Sequence, residues 1–285
     1  MLQPTCSLVL DFDGTITVHD TIANLAEVGV AAQQCRAAQA SPTWPEIVDA
    51  YQREYAQHVS CYLPAANDRQ CLDDELQFLR SLRSVELRSI RLVESSGLYQ
   101  GVTEEMLFAA GQDALRCHRV TIRDGFDELI RLAEEKAWRT SVLSVNWSRS
   151  FIRGVLSGYS IDTIVANEIN ADGTITGPAI FSADKRHGTL ASCMDKACAL
   201  SELVAYNGID IKRLVYFGDS VTDIECLLLG KGVILSTHNN SNLIQTLQRV
   251  GLNIPEVRDL VPEGTLAWAC SFLDILESGF LNQFY

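Results

Sequence analysis

No stretch of these 285 residues approaches the ~20 consecutive apolar residues that a helix needs to cross a bilayer. The N-terminus has no basic segment followed by a long apolar stretch, so no signal peptide is expected. The nine cysteines are odd in number and never spaced C-x-x-C; the nearest pair, Cys193 and Cys198, is five apart and has no matching His/Cys set. With neither a disulfide nor a zinc framework, a reducing compartment is the simpler expectation, and the chain reads as cytoplasmic, with no membrane partner. Positive charge is scarce too: 23 Lys and Arg against 36 Asp and Glu give a net charge of −13. That argues against a nucleic-acid partner, because such proteins carry basic patches. It also means that an anionic substrate must be met by local cations or a metal, not by the overall field. There is no internal repeat and no low-complexity segment.

A hydrophobic content of 47% is ample for a real core. At ~100–200 residues per domain the length suits one large domain or two smaller ones. The apolar run Ser7-Leu8-Val9-Leu10 reads as a buried parallel strand. Further strands are expected over Thr140–Ser144, Ile161–Ala166, Arg213–Asp219 and Gly232–Ser236, with helices over Phe126–Ala137 and Lys196–Tyr206. Strands alternating with helices of this length predict an α/β fold with a doubly wound parallel sheet. Asp172-Gly173 between extended stretches predicts a hairpin turn.

Residues 19–120 differ: helical periodicity, few β-branched runs, and breaks at Ser41-Pro42-Thr43-Trp44-Pro45 and Leu63-Pro64-Ala65-Ala66-Asn67-Asp68. They are expected to form an inserted all-helical cap domain, with 1–18 and 121–285 forming the core. Leu79, Leu82, Ile90 and Val93 fall on one helical face, and Arg80, Arg83, Arg88 and Arg91 on another. Those arginines face solvent on one reading and form a cationic wall toward an anionic substrate on another.

Four pieces carry the chemistry, in order: Asp11-Phe12-Asp13-Gly14-Thr15 straight after the first strand; Ser144 at a strand end, followed by Val145-Asn146-Trp147; Lys196 heading a helix; and Gly218-Asp219-Ser220-Val221-Thr222-Asp223 after another strand. In open α/β sheets, reactive groups collect at the carboxyl ends of the strands. Unpaired buried carboxylates are costly, and a divalent cation offsets that cost. A phosphoryl group in transfer carries charge on three equatorial oxygens, which Lys196, the Ser144 hydroxyl and nearby backbone N–H groups can meet. Asp11 and Asp219 supply hard oxygen ligands for Mg²⁺. Asp11 can then act as nucleophile and Asp13 as acid and base. Singly, each of these residues is as readily a cap, a turn or a solvated charge.

Together the four pieces resemble the motifs of the haloacid dehalogenase (HAD) superfamily of aspartate-nucleophile phosphatases, and the insertion looks like its C1-type helical cap. The branch most similar is the phosphoserine-phosphatase-like one: Ala166-Asn167-Glu168 leading to Asp172-Gly173-Thr174-Ile175-Thr176-Gly177 is similar to its hairpin. The resemblance implies a Rossmann-like core and a Mg²⁺-dependent phosphomonoester hydrolase for a small-molecule phosphate ester. Asp11 would be its nucleophile, Asp13 its acid and base, and Ser144 and Lys196 its phosphate binders. It implies Mg²⁺ on Asp11, the Asp13 carbonyl and Asp219, with Asp223 in support. Where phosphoserine phosphatases show Ser-Gly-Gly-Phe, this chain has Ser144-Val145-Asn146-Trp147, so Val145 and Asn146 are expected to reshape the substrate pocket. Asp20 stands where the family has a cap glutamate, and is a candidate for substrate binding or for capping the first inserted helix with Thr21. A phosphotransferase on the same intermediate and a non-catalytic binding module remain alternatives. Asp13 argues against a true dehalogenase.

Other residues stay open. Trp147 either stacks on substrate or packs in the core. His238 with Asn239-Asn240 reads as an ordinary loop. His19, His58, His118 and His187 lack metal-ligand spacing, and Lys185 is a weaker rival to Lys196.

Overall fold

A computed structural model describes residues 6–36, 41–178, 188–259 and 265–284. Lys185 and His187 lie outside the described residues. Six parallel strands form the central sheet: β1 (Ser7–Leu10), β2 (Arg139–Leu143), β3 (Thr163–Val165), β6 (Leu214–Gly218), β7 (Lys231–Leu235) and β8 (Leu266–Ala269), in the order β3-β2-β1-β6-β7-β8. The small pair β4 (Glu168–Ile169) and β5 (Ile175–Thr176) is antiparallel and closes around Asp172-Gly173, as the hairpin signal predicts. β8 is the strand the sequence reading missed. The third strand is shorter than expected, three residues instead of six.

Strand alternation sorts the core into two faces. Leu8 and Leu10 of β1 join Val215, Phe217, Val233 and Leu235 on one side. Val9 joins Leu143, Tyr216 and Ile234 on the other. The first face is covered by helices at Phe126–Glu135, Arg149–Val155 and Phe272–Glu277, the second by helices at Cys193–Asn207 and Asn242–Arg249. This is a doubly wound α/β sheet. In register, Leu10 lies opposite both Val142 and Phe217, so β1, β2 and β6 end level. The chain builds outward from β1 to β3 on one side and from β6 to β8 on the other. Such a reversal opens a crevice at the strand tips.

Between Val18 and Thr121 every described regular element is helical. We label them α1 (Ile22–Cys35), α2 (Trp44–Cys61), α3 (Leu72–Ser81), α4 (Arg83–Ser96) and α5 (Glu104–Arg116), with a short 3-10 turn at Ala66–Asp68. The chain departs and returns through adjacent strands: Thr17 bridges Ile122, and the Val18 N–H donates to Thr121 O at 2.9 Å. α2 begins where sequence chemistry says it should, on a capping box between Thr43 and Glu46 with Pro45 in its first turn. α5 packs on the helix Arg149–Val155 (α7, after α6 at Phe126–Glu135) at two glycines: a Cβ on Gly111 would collide with Phe151 O, and one on Gly154 with Phe108 O.

The arginine face of α3 and α4 is spent on carboxylates. Arg80 pairs with Glu225 at 2.7 Å, Arg83 with Asp195 at 2.9 Å and Arg88 with Glu54 at 2.6 Å, while Arg91 is exposed. The cationic-wall reading is therefore set aside.

Candidate active site

Asp11 leaves β1 still paired to the sheet, its N–H donating to Phe217 O at 2.9 Å. Its Oδ1 accepts the Phe12 N–H at 2.7 Å, and its Oδ2 lies 2.8 Å from Lys196 Nζ. Lys196 is fully buried and also lies 2.6 Å from Asp223 Oδ1. Its helix, α8 (Cys193–Asn207), starts three residues earlier than expected, on the Ser192 cap. Lys196 thus sits in the first turn and reaches Asp11 from behind. Asp223 Oδ1 also accepts the Tyr216 hydroxyl at 2.7 Å, and its Oδ2 accepts the N–H groups of Asp219 and Ser220 at 3.2 and 3.1 Å. Both Asp223 oxygens are therefore occupied by protein donors, and the residue fastens the Asp219 loop to Lys196.

Asp11, Asp219 and Asp223 each offer a carboxylate oxygen within 4.8 Å of the others. Three crowded acids face one ammonium, and the electrostatics show it. Burial pushes Asp11 well above the usual carboxylate range; Lys196 opposes this, and Asp223 and Asp219 add to it. Asp219 is pushed up to about 7 by burial first and Asp223 second. Burial disfavours charge on Lys196, but Asp11 and Asp223 outweigh it and raise the lysine. An excess of buried negative charge on hard oxygen ligands suits a small divalent cation.

Asp13 points to the start of the helical segment. Its Oδ1 accepts the Thr21 N–H at 2.8 Å and the Thr21 hydroxyl at 2.7 Å; its Oδ2 accepts Asn146 Nδ2 at 2.7 Å. Burial and the neighbouring Asp20 push it up to about 6, against the pull of those donors. The side-chain amide of Asn146 is thus engaged with Asp13 and, at 3.1 Å, with Thr21. Ser144 stands just past β2, its N–H on Val165 O at 2.9 Å and its Oγ accepting the Asn146 N–H at 3.2 Å.

A cavity of about 730 Å³ opens above these tips. Asp11, Asp13, Ser144 and Asp219 form its floor, and Val145, Asn146 and Asp20 also line it. Besides lining the cavity, Asp20 holds the start of α1, its Oδ1 accepting the Ile22 N–H at 2.7 Å. Trp147 lines the cavity while packing edge-on against Trp44 and Tyr99. Among the four described histidines only His19 is on the wall; His58 bonds Ser81, His118 is exposed, and His238 forms a turn with Ser236.

Sequence reasoning missed the residues that hold the loops. Gly14 has φ +73, and a Cβ there would run into the Asp219 carboxylate, so only glycine fits. Arg123, nearly buried, clamps that loop: Nε donates to Thr15 O at 2.8 Å, Nη1 to Cys270 O at 3.1 Å, and Nη2 to Gly14 O. All three acceptors are main-chain carbonyls, which leave no trace in a side-chain pattern. Asn167 Nδ2 donates to Val145 O, Asn146 O and Leu190 O, tying the Ser144 loop to the approach of α8. Glu168 holds the N-terminus of α7 through Ser148 and Ser150. For these two the Ala166-Asn167-Glu168 stretch was the available signal.

Known proteins resemble this chain in sequence and in fold. The haloacid dehalogenase-like hydrolase family matches residues 8–228, a span holding Asp11, Asp13, Ser144, Lys196, Asp219 and Asp223. A CTO1 family protein of Schizosaccharomyces pombe (strain 972 / ATCC 24843) is 28% identical over 289 residues, covering 96% of this chain and 98% of its own. The "Bifunctional TH2 protein, mitochondrial" of Arabidopsis thaliana is 25% identical over 266 residues, covering 85% of this chain and 40% of that protein. A phosphoserine phosphatase solved as a phospho-aspartyl intermediate analogue superposes with a TM-score of 0.52 at 15% identity, covering 96% of this chain and 99% of its own. A Bordetella pertussis Tohama I protein of unknown function gives 0.54 at 13% identity, covering 87% and 97%. At such identities the structural likeness is one of fold. No described helix is long and apolar enough to cross a membrane. By its matched span, this chain belongs to the haloacid dehalogenase-like hydrolase family.

Proposed function

We propose that this chain is a Mg²⁺-dependent phosphomonoester hydrolase for a small metabolite, working through an aspartyl-phosphate on Asp11. The observation that carries the reading is the placement of Asp11: tip of the central strand, on the floor of the cavity, 2.8 Å from a buried lysine. A carboxylate oxygen of Asp11 attacks phosphorus, and the ester P–O bond breaks. Asp13 gives its proton to the departing alkoxide. The Asp13 carboxylate then takes a proton from water, whose oxygen attacks the phosphorus of the acyl phosphate, freeing inorganic phosphate and restoring Asp11.

Ser144 and the backbone after β2 are suited to bind phosphoryl oxygens. Lys196 keeps Asp11 oriented and supplies positive charge behind it. Asp11, Asp219 and the Asp13 carbonyl would hold Mg²⁺, with Asp223 positioning Asp219 and Lys196. The ion supplies charge neutralisation on the phosphoryl oxygens.

The test is phosphate release from a panel of small phosphate esters with Mg²⁺ and with EDTA. Turnover is expected only with the metal, and Asp11→Asn should lower it by about 10⁴-fold or more with the thermal midpoint near wild type. Turnover by the folded variant at a wild-type rate would overturn the nucleophile assignment.

A further inference from the structure

Above the acidic floor, the cavity changes character. Its upper wall is made of half-buried rings, Trp44 and Tyr51 from α2 and Trp147 from the loop after β2, together with Glu86 from α4. Trp44 and Trp147 meet edge to face, with centroids 6.3 Å apart, and both are only half-buried, so part of the pair stays open to the cavity. Glu86 accepts the Tyr51 hydroxyl at 2.8 Å on Oε1 and makes no ion pair among the described residues, unlike Arg83 and Arg88 beside it on the same helix, which are both paired. Asp20 adds a second carboxylate near the cavity mouth, where it is exposed. Among the described lining residues there is no lysine or arginine, and His19, next to Asp20, is the only basic side chain.

A wall of aromatic faces with unpaired carboxylates is complementary to an organic cation that also carries apolar surface. A carboxylate-bearing alcohol such as serine would instead set its anion among Asp13, Asp20 and Glu86. Resting on the hydrolase reading above, we propose that the leaving-group end of this cavity recognises an alcohol bearing an apolar organic cation, a quaternary ammonium or a cationic heteroaromatic ring, held against Trp44, Trp147 and Tyr51 with Glu86 and Asp20 as its counter-charges. Burial raises the Glu86 carboxyl, with only the Tyr51 hydrogen bond pulling it back, so a bound cation would relieve a group the protein leaves uncompensated.

Isosteric pairs test this. Phosphocholine is compared with 3,3-dimethylbutyl phosphate, and N-(2-phosphoryloxyethyl)pyridinium with phenethyl phosphate, on the full chain, with phosphoserine as the anionic control. In each pair the positive member is expected to have the higher kcat/KM, by about tenfold in the preferred pair. The preferred pair tells ammonium from heteroaromatic recognition. Glu86→Gln should bring that ratio to about twofold or less. Asp20→Asn, which keeps an acceptor for the Ile22 N–H, should lower it by a smaller factor.

Equal rates within both pairs, a preference for phosphoserine, or a ratio that Glu86→Gln leaves intact would each overturn the proposal. Tryptophan fluorescence titration with the same esters in EDTA reads the preference as binding, without turnover. If no ester releases phosphate, the hydrolase reading fails, and this titration still decides the subsite.

Discussion

The floor and the upper wall of one cavity are built in opposite ways. At the floor, Asp11 and Asp13, with Asp223 buried beneath them, have both carboxylate oxygens hydrogen-bonded or ion-paired, to partners drawn from β6, α8 and the loops. On the wall, Trp44 meets Trp147 and Tyr51 bonds Glu86, and these half-buried side chains stay partly open to the cavity. A saturated network fixes geometry and tolerates little change. An open aromatic wall adapts, and selects by shape and charge. On the proposed reading, the floor sets the reaction, and the wall sets which alcohol is released.

That division is open to attack by substitution. The largest effect is expected at Lys196. Lys196→Met strands Asp11 and Asp223 as unpaired buried acids, so a urea melt should show a loss of about 3–5 kcal/mol, and phosphate release should vanish. A stable, active variant would mean that the floor is not held by this lysine. Next comes Asp13→Asn, expected to slow alkyl esters by about 10²–10⁴-fold and aryl esters with good leaving groups far less. An equal loss on both would remove Asp13 from proton transfer.

Arg123→Met removes the donors to Gly14, Thr15 and Cys270. We expect about 1.5–3 kcal/mol lower stability by denaturant melt, together with a higher Mg²⁺ concentration for half-maximal turnover, because the clamped loop carries the Asp13 carbonyl. The smallest effect belongs to the wall: Trp44→Leu should raise KM several-fold while leaving kcat within about twofold, as loss of uniform binding does. A collapse of kcat there would erase the contrast between floor and wall.

The same contrast explains what a reader of the sequence can see. Asp11, Asp219 and Asp223 stand at or just after strands that are continuous apolar runs, so their meeting follows from the parallel-sheet rule without any coordinates. β8 escaped because Leu266–Ala269 is a short edge strand with no sharp boundary. Asn146 was read as a substrate residue, yet its amide is bound to Asp13 and Thr21, a contact 133 residues distant in sequence. Glu86 and Tyr51 meet only because α2 packs on α4. Helix-on-helix pairings of this kind follow from side-chain volumes all along both helices, and no short motif encodes them.

The glycine contact between α5 and α7 has a mechanical consequence. Where two helices touch through main chain, no flexible side chain can absorb sliding, so the base of the helical segment is locked to the sheet. On the hydrolase reading, substrate would enter by a hinge-like swing of α2 to α4, working against the exposed Arg80–Glu225 and part-buried Arg83–Asp195 latches. Gating by such latches would be sensitive to ionic strength, while the chemistry beneath would not.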